Sequence, residues 1–195
     1  MLKPWYTVFV KGGHEEYVQE MIHRSFASDL RTLVPRRTVP ERKEGIVTLE
    51  SRKLFPGYVL INSFMTPEIY YRIKQIPRII RFLHVQLLPQ PRLAGSGAYF
   101  DQGTISPDSY VTEVRHDEIR RILELLDDQD NIGLSRVLVT NSKVSVIDGP
   151  LKGLEGIIKK INKRNARAKI QISFLGNDHF VDVGVEVLQP IGEQT

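Results

Sequence analysis

The chain has 195 residues, 41% hydrophobic and 26% charged, with a formal net charge of +4; this predicts one large domain or two small ones, and leans toward an anionic partner without demanding one. It contains no cysteine, which excludes disulfides, thiolate zinc sites and cysteine nucleophiles. The histidines His14, His23, His84, His116 and His179 are scattered and lack the i, i+4 spacing of a metal-binding helix, so no metal site is expected.

No apolar run approaches the roughly 18 residues of a membrane span. The N-terminus enters a strand pattern directly, with no signal-peptide pattern, so no membrane association and a cytoplasmic location are the simplest expectation.

Trp5 to Val10 reads as a strand, punctuated by Gly12-Gly13. Val18, Ile22 and Phe26 then recur at helical spacing, with Glu15 and Glu16 in the first turn and His23 and Arg24 in the last, as the helix dipole favours. Leu33 to Val39 and Ile46 to Arg52 read as two strands around a polar turn from Glu41 to Gly45. Tyr58 to Asn62 is a short buried strand. Thr66-Pro67-Glu68 supplies a capping hydroxyl, a first-turn proline and an acid, and so predicts a short helix ending before Pro77. Ile79 to Val85 predicts another strand. Arg115 to Leu126 predicts a helix with Ile119, Ile122, Leu123 and Leu126 on one face. This order predicts an α+β layer fold, an antiparallel sheet with flanking helices. Leu87 to Val114 is long for a connection and reads as a surface excursion, with a small hairpin at 98–105.

Asp127 to Asn141 is polar and reads as a linker. Beyond it only strand patterns appear: Val144–Ile147, Gly156–Ile161, Ala168–Phe174, Phe180–Val183 and Val185–Leu188. Five short strands predict a small closed SH3-like barrel. The expected division is therefore a domain over 1–127, a linker over 128–141 and an all-β domain over 142–195.

Two motifs carry the functional reading. From Val144 to Ile158 a β-run ends in Asp148-Gly149-Pro150, followed by Gly153, Gly156 and a second β-branched run, the pattern of a KOW element. Phe55-Pro56-Gly57-Tyr58 feeds a buried strand. Together with Trp5-Tyr6, Gly13-His14-Glu15 and Ile76-Pro77-Arg78, these make nearly the whole chain resemble the NusG/Spt5 family of transcription elongation factors. The resemblance implies an N-terminal NGN domain that docks on the clamp helices of RNA polymerase. Phe9, Phe55 and Pro56 stand at its docking positions, with Trp5 and Tyr58 nearby and expected in the core. It implies a second contact, to the polymerase gate loop, at Tyr70, Tyr71 and Arg72. Two adjacent tyrosines cannot both face the core of one helix, so at least one is expected at the surface. Arg36, Arg37, Arg42, Lys43, Arg52 and Lys53 flank the first hairpin and read mainly as a solvated face, with non-template DNA contact as a minor possibility implied by the family.

Seven basic residues lie between Lys152 and Lys169: Lys152, Lys159, Lys160, Lys163, Arg164, Arg167 and Lys169, opposed only by Glu155. With Asn165 they predict a cationic hairpin that meets phosphates and base edges, and structured nascent RNA is the expected ligand. The competing reading is a lysine-rich strand edge that discourages aggregation. The basic hairpin, the long excursion and Phe82-Leu83-His84 at the strand end depart from the usual family pattern and resemble specialised paralogues of the LoaP antiterminator type. The alternatives are a housekeeping factor whose KOW domain binds Rho or a ribosomal protein, and a ribosome-associated RNA-binding protein. The sequence shows no phosphate-binding glycine loop and no nucleophile triad spacing; a monomer without enzymatic activity or cofactor is expected.

Overall fold

The computed structural model describes residues 3–26, 29–83, 111–140 and 143–188. Its first elements in chain order are β1 (Trp5–Val10), α1 (Glu15–Phe26), β2 (Arg31–Leu33), β3 (Arg36–Lys43), β4 (Ile46–Lys53), β5 (Tyr58–Asn62), α2 (Pro67–Lys74) and β6 (Ile79–Phe82). There follow α3 (His116–Leu125), β7 (Asn131–Ile132), β8 (Ser135–Thr140), β9 (Lys143–Asp148), β10 (Ile158–Asn162), β11 (Arg167–Phe174) and β12 (Asn177–Leu188). The chain divides into two compact units, Met1–Leu33 with Pro56–Arg115, and Val34–Phe55 with His116–Thr195. This differs from the expected division, because the β3–β4 hairpin and α3 belong with the C-terminal strands.

The first unit is built on an antiparallel sheet in the order β2-β5-β1-β6. Its central strands are apolar on both faces, and Tyr6, Val8, Val10, Val59, Leu60 and Ile61 are all buried. Helix α1 adds Val18, Ile22 and Phe26 to this core. Glu15 is also buried, at 1% exposure; a carboxylate can sit there because it accepts the Gly57 backbone N–H at 2.7 Å. Helix α2 starts as its sequence dictates, with the Thr66 hydroxyl accepting the Ile69 N–H at 3.2 Å. Of the expected excursion, residues 87–110 lie outside the described residues, including the hairpin at 98–105; so do the last residues of the strand expected over 79–85. Val111 and Val114 are buried, and the Val114 N–H donates to the Trp5 carbonyl at 2.7 Å.

In the second unit β3 and β4 form a hairpin in register from Arg36↔Lys53 to Lys43↔Ile46. Its turn is only Glu44-Gly45, with φ of 50° and 85°, the two positive values of a type I′ turn that matches strand twist. The strands therefore run further into the polar segment than the sequence predicts, and Leu33 belongs to β2. Helix α3 buries Glu118, Ile119, Ile122 and Leu125, while Leu123 and Leu126 stay partly exposed.

The expected linker 128–141 is a correction: it carries β7 and β8. Strand β7 pairs with β3, and β8 pairs in parallel with β12 and antiparallel with β9. Only the Asp127 turn fits the polar reading, its carboxylate accepting the N–H groups of Gln129 and Asn131 at 2.9 and 3.0 Å. The two strands expected over 180–188 are one, β12, of 12 residues. It pairs with β11 through Gly184 and with β8 from Val185. A side chain at Gly184 would meet the Thr38 carbonyl at 2.9 Å and Leu134 at 2.3 Å, so the strand changes partner where only glycine fits. The five strands run β10-β11-β12-β8-β9. Gly149, at φ 96°, turns the chain so closely past β8 that a Cβ would lie 2.7 Å from the Ser135 Cα. The core is filled by Val137, Leu151, Ile170, Phe174 and Val183, each fully buried.

Among the described residues no helix is long and apolar enough to cross a membrane.

Candidate nucleic-acid interface

The basic segment forms the β10–β11 hairpin in the second unit. Asn162 faces Arg167, and Lys160 faces Lys169. A register shift between Ile158 and Lys160 adds an extra residue at Lys159, so Lys159 and Lys160 are both exposed. The tip is Lys163 to Ala166. Asn162 closes it by accepting the Asn165 N–H at 3.1 Å, and Ala166 takes a φ of 50°. This turn leaves the side chains of Lys163, Arg164 and Asn165 exposed, and Lys169 is exposed on the neighbouring strand.

Two of the expected RNA-binding residues stand apart from this group. Lys152 lies in the turn after β9, where its charge helps hold the Asp148 carboxyl below its ordinary range, behind hydrogen bonds from Arg136 and the Gly149 backbone. Arg167 is a structural residue. Its guanidinium donates to the Pro40 carbonyl at 2.6 and 3.1 Å and pairs with Glu41 at 2.7 Å, each side chain being 20% exposed. Glu41 also pairs with Arg52 at 2.6 Å. Arg37 donates to the Asp182 carbonyl; burial lowers its pKa while Asp182 opposes the shift. The first hairpin neutralises much of its own charge in this way, Lys43 and Glu50 adding a further pair at 3.0 Å.

Arg42 is exposed and borders the tip. With Val47 from β4 and Arg164 and Asn165 from the tip, it lines an open cavity of about 370 Å³. The sequence shows Arg42 as a charge but gives no sign that it lines a cavity with residue 164; the nearness of the two hairpins is a tertiary fact.

The surface of the first unit is aromatic. Phe9 is half-buried beside Tyr58, with centroids 5.4 Å apart, and Pro56 is exposed. Tyr70 packs on Phe82 at 4.8 Å, leaving Tyr71 57% exposed. Arg72 lies over the Phe26 ring at 4.3 Å and donates to the Ser25 carbonyl at 2.5 Å, so it ties α2 to α1. Trp5 is buried at 8% exposure. Phe55, expected in the same apolar surface, belongs to the second unit and is 3% exposed, stacked on Phe174 at 4.2 Å. It offers no docking surface in this conformation. Among the described residues no three of His, Cys, Asp and Glu converge on a metal position.

A family profile described as "Transcription termination factor nusG" matches residues 3–92. The transcription termination/antitermination protein NusG of Pseudomonas aeruginosa is 25% identical over 189 residues, 94% of this chain and 96% of that protein. The first half of the chain thus matches the NusG profile, and nearly its whole length is similar to NusG proteins. The NusG protein of Rickettsia prowazekii is 28% identical over 90% of this chain and 83% of its own length, and that of Bacillus subtilis 26% identical over 94% and 96%. Among solved structures, one titled "Domain interaction in Thermotoga maritima NusG" matches with a TM-score of 0.52 at 23% identity, covering 93% of both chains. The NusG-like fold, an NGN-type sheet-and-helix part followed by a β-rich C-terminal part, is thus present.

Proposed function

We propose that this chain is a NusG-type elongation and antitermination factor. It docks on RNA polymerase through its N-terminal part and grips structured nascent RNA, at selected operons, through the β10–β11 hairpin. The observation that carries the RNA half is the exposed group Lys159, Lys160, Lys163, Arg164, Asn165 and Lys169 on one hairpin, with Arg42 beside the tip. Lysine and arginine at this density match a phosphate chain, and asparagine and arginine can read base edges. Lys152 and Arg167 leave the binding set, since one sits elsewhere and the other is held by Glu41 and Pro40.

The polymerase half rests on the similarity to NusG proteins and on the exposed Pro56 and Tyr71 with the half-buried Phe9 and Tyr70. Phe55 is available to a partner only where its stack on Phe174 opens. Contact with non-template DNA has weaker support, because Glu41 and Glu50 neutralise Arg52 and Lys43 on the first hairpin.

Purification of the tagged chain from its native cells after crosslinking tests both halves. Polymerase subunits and a restricted set of leader RNAs are the expected products. Recovery of ribosomal subunits would support a ribosome-associated role, and recovery of Rho without specific RNA would support the housekeeping one.

A further inference from the structure

We propose that Phe180 is a stacking platform for an unpaired base of the bound RNA, a site that rests on the RNA-binding reading above and adds a second recognition element to it. Phe180 lies on β12 opposite Gln171, and Asp182 lies opposite Lys169, which in turn faces Lys160 on β10. Side chains alternate along a strand, so Lys169 and Gln171 point to the same side as Phe180. The other side of these strands, at Ala168, Ile170, Ile172 and Val183, is buried. The outward face therefore carries an aromatic ring, 58% exposed, with lysines one and two strands away.

A single exposed apolar residue is ordinary; the charges around this one give it a direction. Asp178 and Asp182 share β12 with the ring, and Asp178 accepts from Gln171 at 2.6 Å and from Ser173 at 2.7 Å. Two carboxylates on that strand repel a phosphate chain, while Lys160 and Lys169 toward β10 attract it. A nucleotide then sits with its base on Phe180 and its phosphate toward the hairpin, and the strand continues to the tip at Lys163 and Arg164. A base offers a π-face whatever its identity, so an exposed ring with lysines on the next two strands suits an unpaired nucleotide better than a closed duplex. Sequence reading passes over Phe180 because it looks like any strand aromatic; only its exposure and register reveal the site.

The test is fluorescence anisotropy of the full-length chain with three probes: an oligouridine of about ten nucleotides, an oligothymidine of the same length, and a blunt RNA duplex. Phe180→Ala and Phe180→Leu are expected to weaken single-strand binding roughly 5- to 150-fold, the range for loss of one stacked base. Phe180→Tyr should retain binding, and duplex affinity should be the same in all four proteins. Circular dichroism confirms that each variant folds. The strand with the larger loss, RNA or DNA, identifies the ligand. Equal single-strand affinity for wild type and Phe180→Ala would overturn the platform. So would equal affinity for Phe180→Leu and Phe180→Tyr, which would leave only a greasy contact. Wild-type binding to the duplex alone would overturn the platform and leave the hairpin reading standing. Absence of binding to any RNA would overturn both.

Discussion

Phe55 and Phe174 stack with centroids 4.2 Å apart and planes 20° from parallel, and His179 meets Phe55 edge-on at 5.4 Å. This joins the last residue of the β3–β4 segment to the end of β11 within one core. Phe55→Ala is therefore expected to destabilise the second unit by about 3–5 kcal/mol, the usual cost of emptying a buried phenyl site. A urea titration measures it. An unchanged midpoint would mean that the stack contributes little in solution.

Arg167 and its neighbours at the tip should separate cleanly. Lys163→Ala with Arg164→Ala removes exposed charge and should weaken RNA binding with little change in stability. Arg167→Ala breaks the pair with Glu41 and the bonds to Pro40, and should cost about 1–3 kcal/mol of stability. Thermal melts and RNA titrations on the same preparations distinguish the two behaviours; an Arg167→Ala protein as stable as wild type would return Arg167 to the binding set.

Glu118 is 2% exposed and accepts the backbone N–H groups of Leu175 and Gly176 at 3.1 and 2.9 Å. It pins α3 to the β11–β12 turn. Glu118→Ala strands two donors and should cost about 1–3 kcal/mol. Glu118→Gln keeps one acceptor oxygen and should fall between Ala and wild type. Hydrogen exchange at Leu175 and Gly176 should accelerate in both variants.

Acid should weaken the second unit in a defined sense. Hydrogen bonds from Ser173 and Gln171 hold the Asp178 carboxyl below its ordinary range. Asp148 is lowered chiefly by Arg136, and Glu155 chiefly by a backbone hydrogen bond. A carboxylate lowered in the folded state stabilises fully above its unfolded pKa, about 3.9 for Asp and 4.3 for Glu, and the contribution disappears as pH falls through the folded value. Denaturation midpoints of wild type and Asp178→Asn should differ at neutral pH and converge below about pH 4. A difference that persisted undiminished in acid would contradict the assignment.

The sequence reveals most of the first unit, because its signals are local. Thr66-Pro67-Glu68 starts α2, and the apolar run at Tyr58–Asn62 is β5, residue for residue. It hides β8, because Ser135 and Arg136 follow an acidic, glycine-containing stretch and read as linker, although Ser135 and Val137 are both fully buried. It splits β12 at Gly184, which in fact marks a change of pairing partner. The cationic residues of the hairpin are legible as composition. That Arg167 serves Glu41 while Arg42 and Arg164 line one cavity is not legible, since each relationship spans more than a hundred residues. Phe55 shows the opposite limit: its motif implies a displayed aromatic, and the tertiary structure buries it.

The most direct test of the RNA-gripping hairpin is the salt dependence of full-length protein binding to a structured leader RNA. Exposed Lys159, Lys160, Lys163, Arg164 and Lys169 should each release counterions, giving a log–log slope of about −3.5, at roughly −0.7 per phosphate neutralised. Lys163→Ala with Arg164→Ala should make the slope shallower by about 1.4. Binding absent at low salt, or present with a slope near zero in wild type, would contradict the account.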